Sequence, residues 1–175
     1  GAILRMLIDK GIFCEEAHTI SRLRQYTGQP QASHQLDQQQ RQAINAIQSA
    51  WNTKNVTLLH GVTSSGKTEV YIHLIDKLLK EGKQVLYLVP EIALTTQLTE
   101  RLQAVFGSQL VVYHSRFSNA ERVEIYQAIR GYQAENRGKI ILGARSAIFL
   151  PFKDLKLIIV DEEHEPSYKQ QDPAP

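Results

Sequence analysis

A chain of 175 residues with 42% hydrophobic and 22% charged side chains is sized for about one domain with a core of its own. No apolar run approaches the roughly 18 residues of a membrane span, and Asp9, Glu15 and Glu16 interrupt the region where a signal peptide would be apolar, so the expected compartment is the cytoplasm. A net charge of +2 excludes a grossly basic chain, and one cysteine, Cys14, excludes an intrachain disulfide or cysteine zinc cluster; Cys14 is expected to be a small buried hydrophobe.

ILRMLIDKG (3–11) has helical character and IFCEE (12–16) can begin a strand, but residues 1–25 hold too little apolar surface for an independent core. YTGQPQASHQ (26–35) is polar and broken by Gly28 and Pro30, as a linker is. LDQQQRQAINAIQSAW (36–51) predicts a helix with Asp37 as N-cap and Ala43, Ile44, Ile47 and Trp51 facing inward.

From Val56 onward, short apolar runs alternate with helical patterns. VTLLH (56–60), QVLYLV (84–89), LVVYH (110–114), KIILG (139–143) and LIIV (157–160) predict strands, apolar on both faces because helices cover both. The fold class is therefore α/β with a mainly parallel sheet. Between the strands, Tyr71, Leu74, Ile75 and Leu78 form one helical stripe, and Leu94, Leu98, Leu102 and Val105 a second. A third helix starts at Ser118, boxed by Glu121, with Val123, Tyr126 and Ile129 on its expected buried side. Gly82 and Gly107 fall where the first two should end.

Charge is uneven along this region. Residues 101–156 hold nine Lys/Arg against four Asp/Glu, an excess of +5 that includes Arg116, Arg122, Arg130, Arg137, Lys139 and Arg145. Most such clusters are simply solvated faces, with phosphate binding the alternative reading.

GVTSSGKT (61–68) fits the phosphate-loop pattern GxxxxGK[ST] and stands between an expected strand and an expected helix. The pattern needs small residues because several backbone N–H groups must converge on phosphate oxygens at a helix N-terminus. Gly61, Val62, Thr63, Ser64, Ser65 and Gly66 would supply that cradle, Lys67 a charge to the β and γ phosphates, and Thr68 a hydroxyl to Mg²⁺. Ser64 stands where a left-handed conformation would cost about 1–2 kcal/mol.

Such a loop is completed by an acid at the end of a parallel strand on the same sheet edge. Asp161, after LIIV, is the candidate to hold Mg²⁺ through water, and Glu162 the base that orients and deprotonates an attacking water. Thr95, Thr96, Arg116, Arg145 and Ser146 also lie just beyond expected strand ends, where hydroxyls and guanidinium groups can follow a sugar-phosphate backbone without reading its sequence.

LLHGVTSSGKTEVY, YLVPEIALTTQL, HSRFSNAER, GARSAIFLPF and LIIVDEEHEPSYKQQ, in this order, resemble superfamily 2 DExH helicases, and among them the bacterial primosomal group, over residues 36–172. The resemblance implies a RecA-like lobe binding Mg·ATP, with 61–68 as motif I, 90–96 as motif Ia and 161–164 as motif II. It implies that His164 senses the γ phosphate, that 143–149 lies against single-stranded DNA, and that Tyr168 and Lys169 begin an aromatic and basic DNA-facing loop. It sets Gln40 on adenine; a reciprocal cap on Asp37 competes for the same amide.

The resemblance further implies a 3′ to 5′ DNA helicase acting at abandoned replication forks, with branched and single-stranded DNA, single-stranded DNA-binding protein and primosome proteins as partners. RecG-like translocases are the alternative within the superfamily, and a phosphate-loop small-molecule kinase the alternative outside it. Residues 1–25 would then be the tail of a winged-helix-like domain, 26–35 a linker, and 36–175 the first lobe, truncated after motif II. A second lobe with its arginine finger, worth about 10³ to 10⁵ in rate in related systems, and cysteine-bound zinc would lie outside these residues. The chain alone is accordingly expected to bind Mg·ATP weakly and hydrolyse it negligibly.

Overall fold

The computed structural model describes residues 2–14, 35–62, 65–114, 116–131 and 139–169. Thr63, Ser64 and Arg137 lie outside the described residues, as do positions 15–25, almost all of the expected linker, and 170–175.

Helices α1 (Ala2–Asp9), α2 (Gln38–Ala50), α3 (Lys67–Lys80), α4 (Thr96–Phe106) and α5 (Asn119–Ile129) accompany strands β1 (Gln84–Leu88), β2 (Leu110–Tyr113), β3 (Ile140–Gly143) and β4 (Leu155–Val160). The sheet is parallel throughout, in the order β2-β3-β1-β4. Its central strand β1 aligns Leu88 with Gly143 of β3 and with Val160 of β4, so the three strands end at one edge.

Period-two alternation makes β1 the middle layer of three. Val85, Tyr87 and Val89 pack with Tyr71, Ile72, Ile75 and Leu78 of α3 and with Leu102 and Phe106 of α4. Leu86 and Leu88 pack on the opposite face with Ile125 and Ile129 of α5 and Ile141 of β3. Each such aliphatic side chain contributes about 1.5–3 kcal/mol on full burial. A third cluster joins Ile44 and Ile47 of α2 to Val70 and Leu74 of α3. Gln84, buried at the start of β1, donates from Nε2 to Ile129 O at 2.7 Å, and its Oε1 accepts from the N–H groups of Lys153 (2.9 Å) and Asp154 (3.0 Å). It thereby ties α5 to the turn before β4.

The helix ends follow local chemistry. Asp37 and Ser118 each form a complete capping box with the residue three positions on, and Gly82 and Gly107 take positive φ after α3 and α4. Leu94 follows a 3-10 turn and precedes α4, yet packs on the same core as the helix's inward Leu98, Leu102, Val105 and Phe106.

Four expectations are corrected. Val56–His60 is not a strand: Val56 and Leu58 are 86% and 70% exposed, and the segment joins no ladder. An apolar extended run becomes a strand only when its backbone finds a partner. The buried face of α5 is Ile125, Ala128 and Ile129, whereas Val123 and Tyr126 are exposed, because the i, i+3, i+4 set containing the small Ala128 fits the sheet more closely. Residues Ile12–Cys14 form no strand. Cys14 itself is exposed. Among the described residues no helix is long and apolar enough to cross a membrane.

Candidate active site

The loop from Gly61 leads directly into α3, whose first residue is Lys67. Gly66 caps the helix in the left-handed conformation at φ +78°, and no side chain caps the first turn, so its N–H groups and the positive end of the helix dipole face outward. A Cβ on Gly66 would be strained by the positive φ and would meet Gln40 Nε2, whereas one on Gly61 would lie 2.8 Å from Ser65 Oγ, which the serine can relieve by turning. Lys67 Nζ donates to the carbonyls of Gly61 (2.7 Å) and Val62 (3.2 Å), and Ser65 N–H donates to Val62 O at 3.2 Å. The ammonium thus sits over the loop. Thr68, half-buried, follows in the same turn.

Asp161 stands one residue beyond β4 and is anchored at four points. Its N–H donates to Leu88 O at 2.9 Å, and its carbonyl accepts from Tyr168 Oη at 2.9 Å. Oδ2 accepts from Tyr87 Oη at 2.9 Å and Oδ1 from the Glu162 N–H at 3.2 Å. Glu162 adopts φ +49°, the one non-glycine positive φ among the described residues. That conformation costs about 1–3 kcal/mol and is typical of functional positions. Glu162, Glu163 and His164 are exposed at the sheet edge.

The two halves are linked through aromatic rings. Tyr71, one helical turn beyond Lys67, meets Tyr87 edge to face with centroids 5.5 Å apart and planes at 78°. Burial, then the charges of Asp161 and Glu163, push the Tyr71 hydroxyl up to about 12. Burial, then the Asp161 charge and hydrogen bond, raise Tyr87 further, and burial with Asp161, Glu162 and Glu165 raises Tyr168. The field of the strand-end acids therefore reaches the first turns of α3, on the same edge of the sheet.

Gln40 is already engaged at both ends of its amide. Oε1 accepts from the Asp37 N–H at 2.9 Å, and Nε2 donates to Gly66 O at 3.4 Å. Of its two competing roles, this conformation holds the cap while touching the phosphate loop.

The expected DNA-facing residues divide. A cleft of about 260 Å³ beyond β1 and β3 is lined by Pro90, Glu91, Arg145, Ser146, Ser167 and Tyr168, among others. Arg145 Nη1 donates to Tyr168 O at 3.5 Å across it. Thr95, Thr96, Arg116 and Lys169 do not line this cleft. Thr95 Oγ1 accepts from the Leu98 N–H as the N-cap of α4, and Thr96, Arg116 and Lys169 are exposed.

Sequence reasoning missed Tyr87, counted only as part of an apolar run, and Glu69, buried one residue after Thr68 and paired with Arg101 of α4. The overlooked signals were a phenol inside an otherwise aliphatic buried strand and a carboxylate on the inward side of a helix. Both need partners.

The donor set fits a magnesium nucleotide. Among the described residues no cluster of three His, Cys, Asp or Glu side chains could enclose an ion. One hydroxyl and one carboxylate suit Mg²⁺, which keeps waters and phosphate oxygens as its other ligands.

The DEAD/DEAH box helicase family model matches residues 37–174. The chain is 45% identical over 139 residues to the replication restart protein PriA of Bacillus subtilis, covering 78% of this chain and 17% of that protein. It is 44% identical over 142 residues to that of Haemophilus influenzae (81% and 19%), and 50% identical over 119 residues to that of Synechocystis (67% and 14%). The chain thus spans less than a fifth of the length of each of these relatives. Phosphate loop, strand-end acids, parallel sheet and matched model agree: the chain belongs to the DEAD/DEAH box helicase family.

Proposed function

We propose that residues 36–175 are the first RecA-like motor lobe of an ATP-dependent DNA helicase, with 1–25 as the tail of a winged-helix-like domain and 26–35 as a linker. The observation that carries this reading is the Lys67 helix reaching Asp161 through Tyr71 and Tyr87. When bound, Mg²⁺ neutralises charge on the phosphates. Residues 61–66 would bind phosphate oxygens with backbone N–H groups, Lys67 would exchange the Gly61 and Val62 carbonyls for the β and γ phosphates, and Thr68 and Asp161 would hold the ion. Glu162, held forward by its backbone, orients the attacking water and accepts its proton. His164 relays the state of that site, and Gln40 exchanges its cap for the adenine edge.

Arg145, Ser146 and Tyr168, with Thr95, Thr96, Arg116 and Lys169 around them, are proposed to follow a single strand of DNA by backbone contacts and stacking. The names of the relatives support replication restart as the role of the longer protein. That protein is further proposed to move 3′ to 5′ on branched and single-stranded DNA, with single-stranded DNA-binding protein and primosome proteins as partners. A second lobe and bound zinc belong to that longer protein.

ATP titration of this chain, with Lys67→Ala as the control, tests the nucleotide site. ATPase assays of the longer protein test the motor: hydrolysis is expected to rise with single-stranded DNA and to vanish in Glu162→Gln. Hydrolysis indifferent to DNA would overturn the motor, and full turnover by these 175 residues alone would overturn the need for a second lobe.

A further inference from the structure

We propose that Tyr87 is a positioning residue for the metal face of the nucleotide site: its hydroxyl holds one oxygen of Asp161, so that the other is presented to Mg²⁺. This rests on the reading that Asp161 serves that ion.

Tyr87 has no exposed surface and lies in the central strand, in a position a phenylalanine or leucine would fill by packing alone. A buried phenol needs a partner, and this one donates to Asp161 Oδ2 at 2.9 Å across 74 residues of sequence. The backbone of Asp161 is fixed independently, by Leu88 O on one side and by Tyr168 Oη on the other. What remains free is rotation of the carboxylate. Tyr87 restrains it at Oδ2, while Oδ1 accepts only the longer 3.2 Å bond from Glu162 N–H and keeps a second lone pair. Tyr87 is braced by Tyr71 on the helix that begins with Lys67. The aim of the acid is therefore set by the core. Mg²⁺ demands near-octahedral geometry, so a carboxylate free to swing would hold it less well.

The test measures the ratio of ATP affinities with and without Mg²⁺ for this chain and its variants. Asp161→Asn should abolish the gain from the metal. Tyr87→Phe should reduce that gain by about 10- to 100-fold, the usual consequence of removing a group that orients a metal ligand, and leave metal-free ATP affinity unchanged. Tyr113→Phe, a buried tyrosine on the opposite face of the sheet, should behave as wild type.

If Tyr87→Phe weakens ATP equally with and without metal, its role is structural and the inference fails. The double variant Tyr87→Phe/Asp161→Asn should match Asp161→Asn alone; a lower ATP affinity in the double variant than in Asp161→Asn would show the hydroxyl acting by a route other than the acid and would overturn the inference. If Asp161→Asn keeps the full gain, the metal reading of that acid fails first. If Asp161→Asn loses the gain and Tyr87→Phe keeps it, only the role of Tyr87 is overturned.

Discussion

Arg101 on α4 donates from Nη2 to the Glu69 carboxylate on α3, joining the helix that carries Lys67 to the helix that follows the strand-end loop after β1. The Glu69 side chain is only 9% exposed against 43% for Arg101, and Glu69 Oε2 makes no hydrogen bond among the described residues. The guanidinium is what sustains a buried charge there.

Arg101→Ala should therefore destabilise the fold by about 1–3 kcal/mol, below the value for a fully buried pair because water reaches the arginine side. Adding Glu69→Gln should recover part of the loss by removing the stranded charge. Urea unfolding of the single and double variants measures both, and a double variant less stable than Arg101→Ala would contradict the account.

Glu162 offers a separation of stability from function. Glu162→Gly relieves the positive φ while loosening the unfolded chain, for a net gain of about 1 kcal/mol or less. The melting temperature should rise as ATPase activity of the longer protein disappears. A fall in melting temperature would mean that the carboxylate, and not the backbone, stabilises the turn.

Gln84 should be costly to replace although it is far from the site. Gln84→Leu preserves volume but strands the Ile129 carbonyl in the core and two N–H groups at the turn before β4. The expected loss is about 2 kcal/mol, measured by denaturant melts. Gln84→Glu should do worse, since the Ile129 carbonyl loses its donor and faces a buried charge.

The tyrosines around Asp161 set an alkaline limit. Tyr71, with a folded value of about 12 against an ordinary 10.0, binds its proton more tightly folded than unfolded. Its contribution is complete below pH 10 and is lost as pH climbs towards 12. Tyr87 and Tyr168 shift in the same direction. Tyrosinate absorbance followed beside circular dichroism should show these three of the seven tyrosines ionising only as the fold is lost. Early ionisation of all seven with the fold intact would remove the argument.

What could be read from sequence was what neighbours in the chain decide. Asp37 and Ser118 start helices because each finds its capping partner three residues on, and the Tyr71, Leu74, Ile75, Leu78 stripe is buried because helical periodicity alone aligns it. The GxxxxGK[ST] pattern ahead of α3 and the acids after the apolar run of β4 are likewise local features of the chain, and their joint role is the proposal made above. Distant pairings were not. Val56–His60 has strand composition and joins no strand, α5 turns Ile125 inward and Val123 outward, and the Tyr87 hydroxyl acquires meaning only through Asp161.

Among the described residues β4 is an edge strand of the sheet, and its outward face leaves Ile158 and Val160 nearly half exposed beside Lys156. A terminal strand rich in branched residues is a template onto which a like segment from a second molecule can add. The exposed charge of Lys156 within that stretch disfavours such pairing. Neutralising Lys156 should turn a well-behaved preparation into one that clouds with concentration, without changing its melting behaviour when dilute.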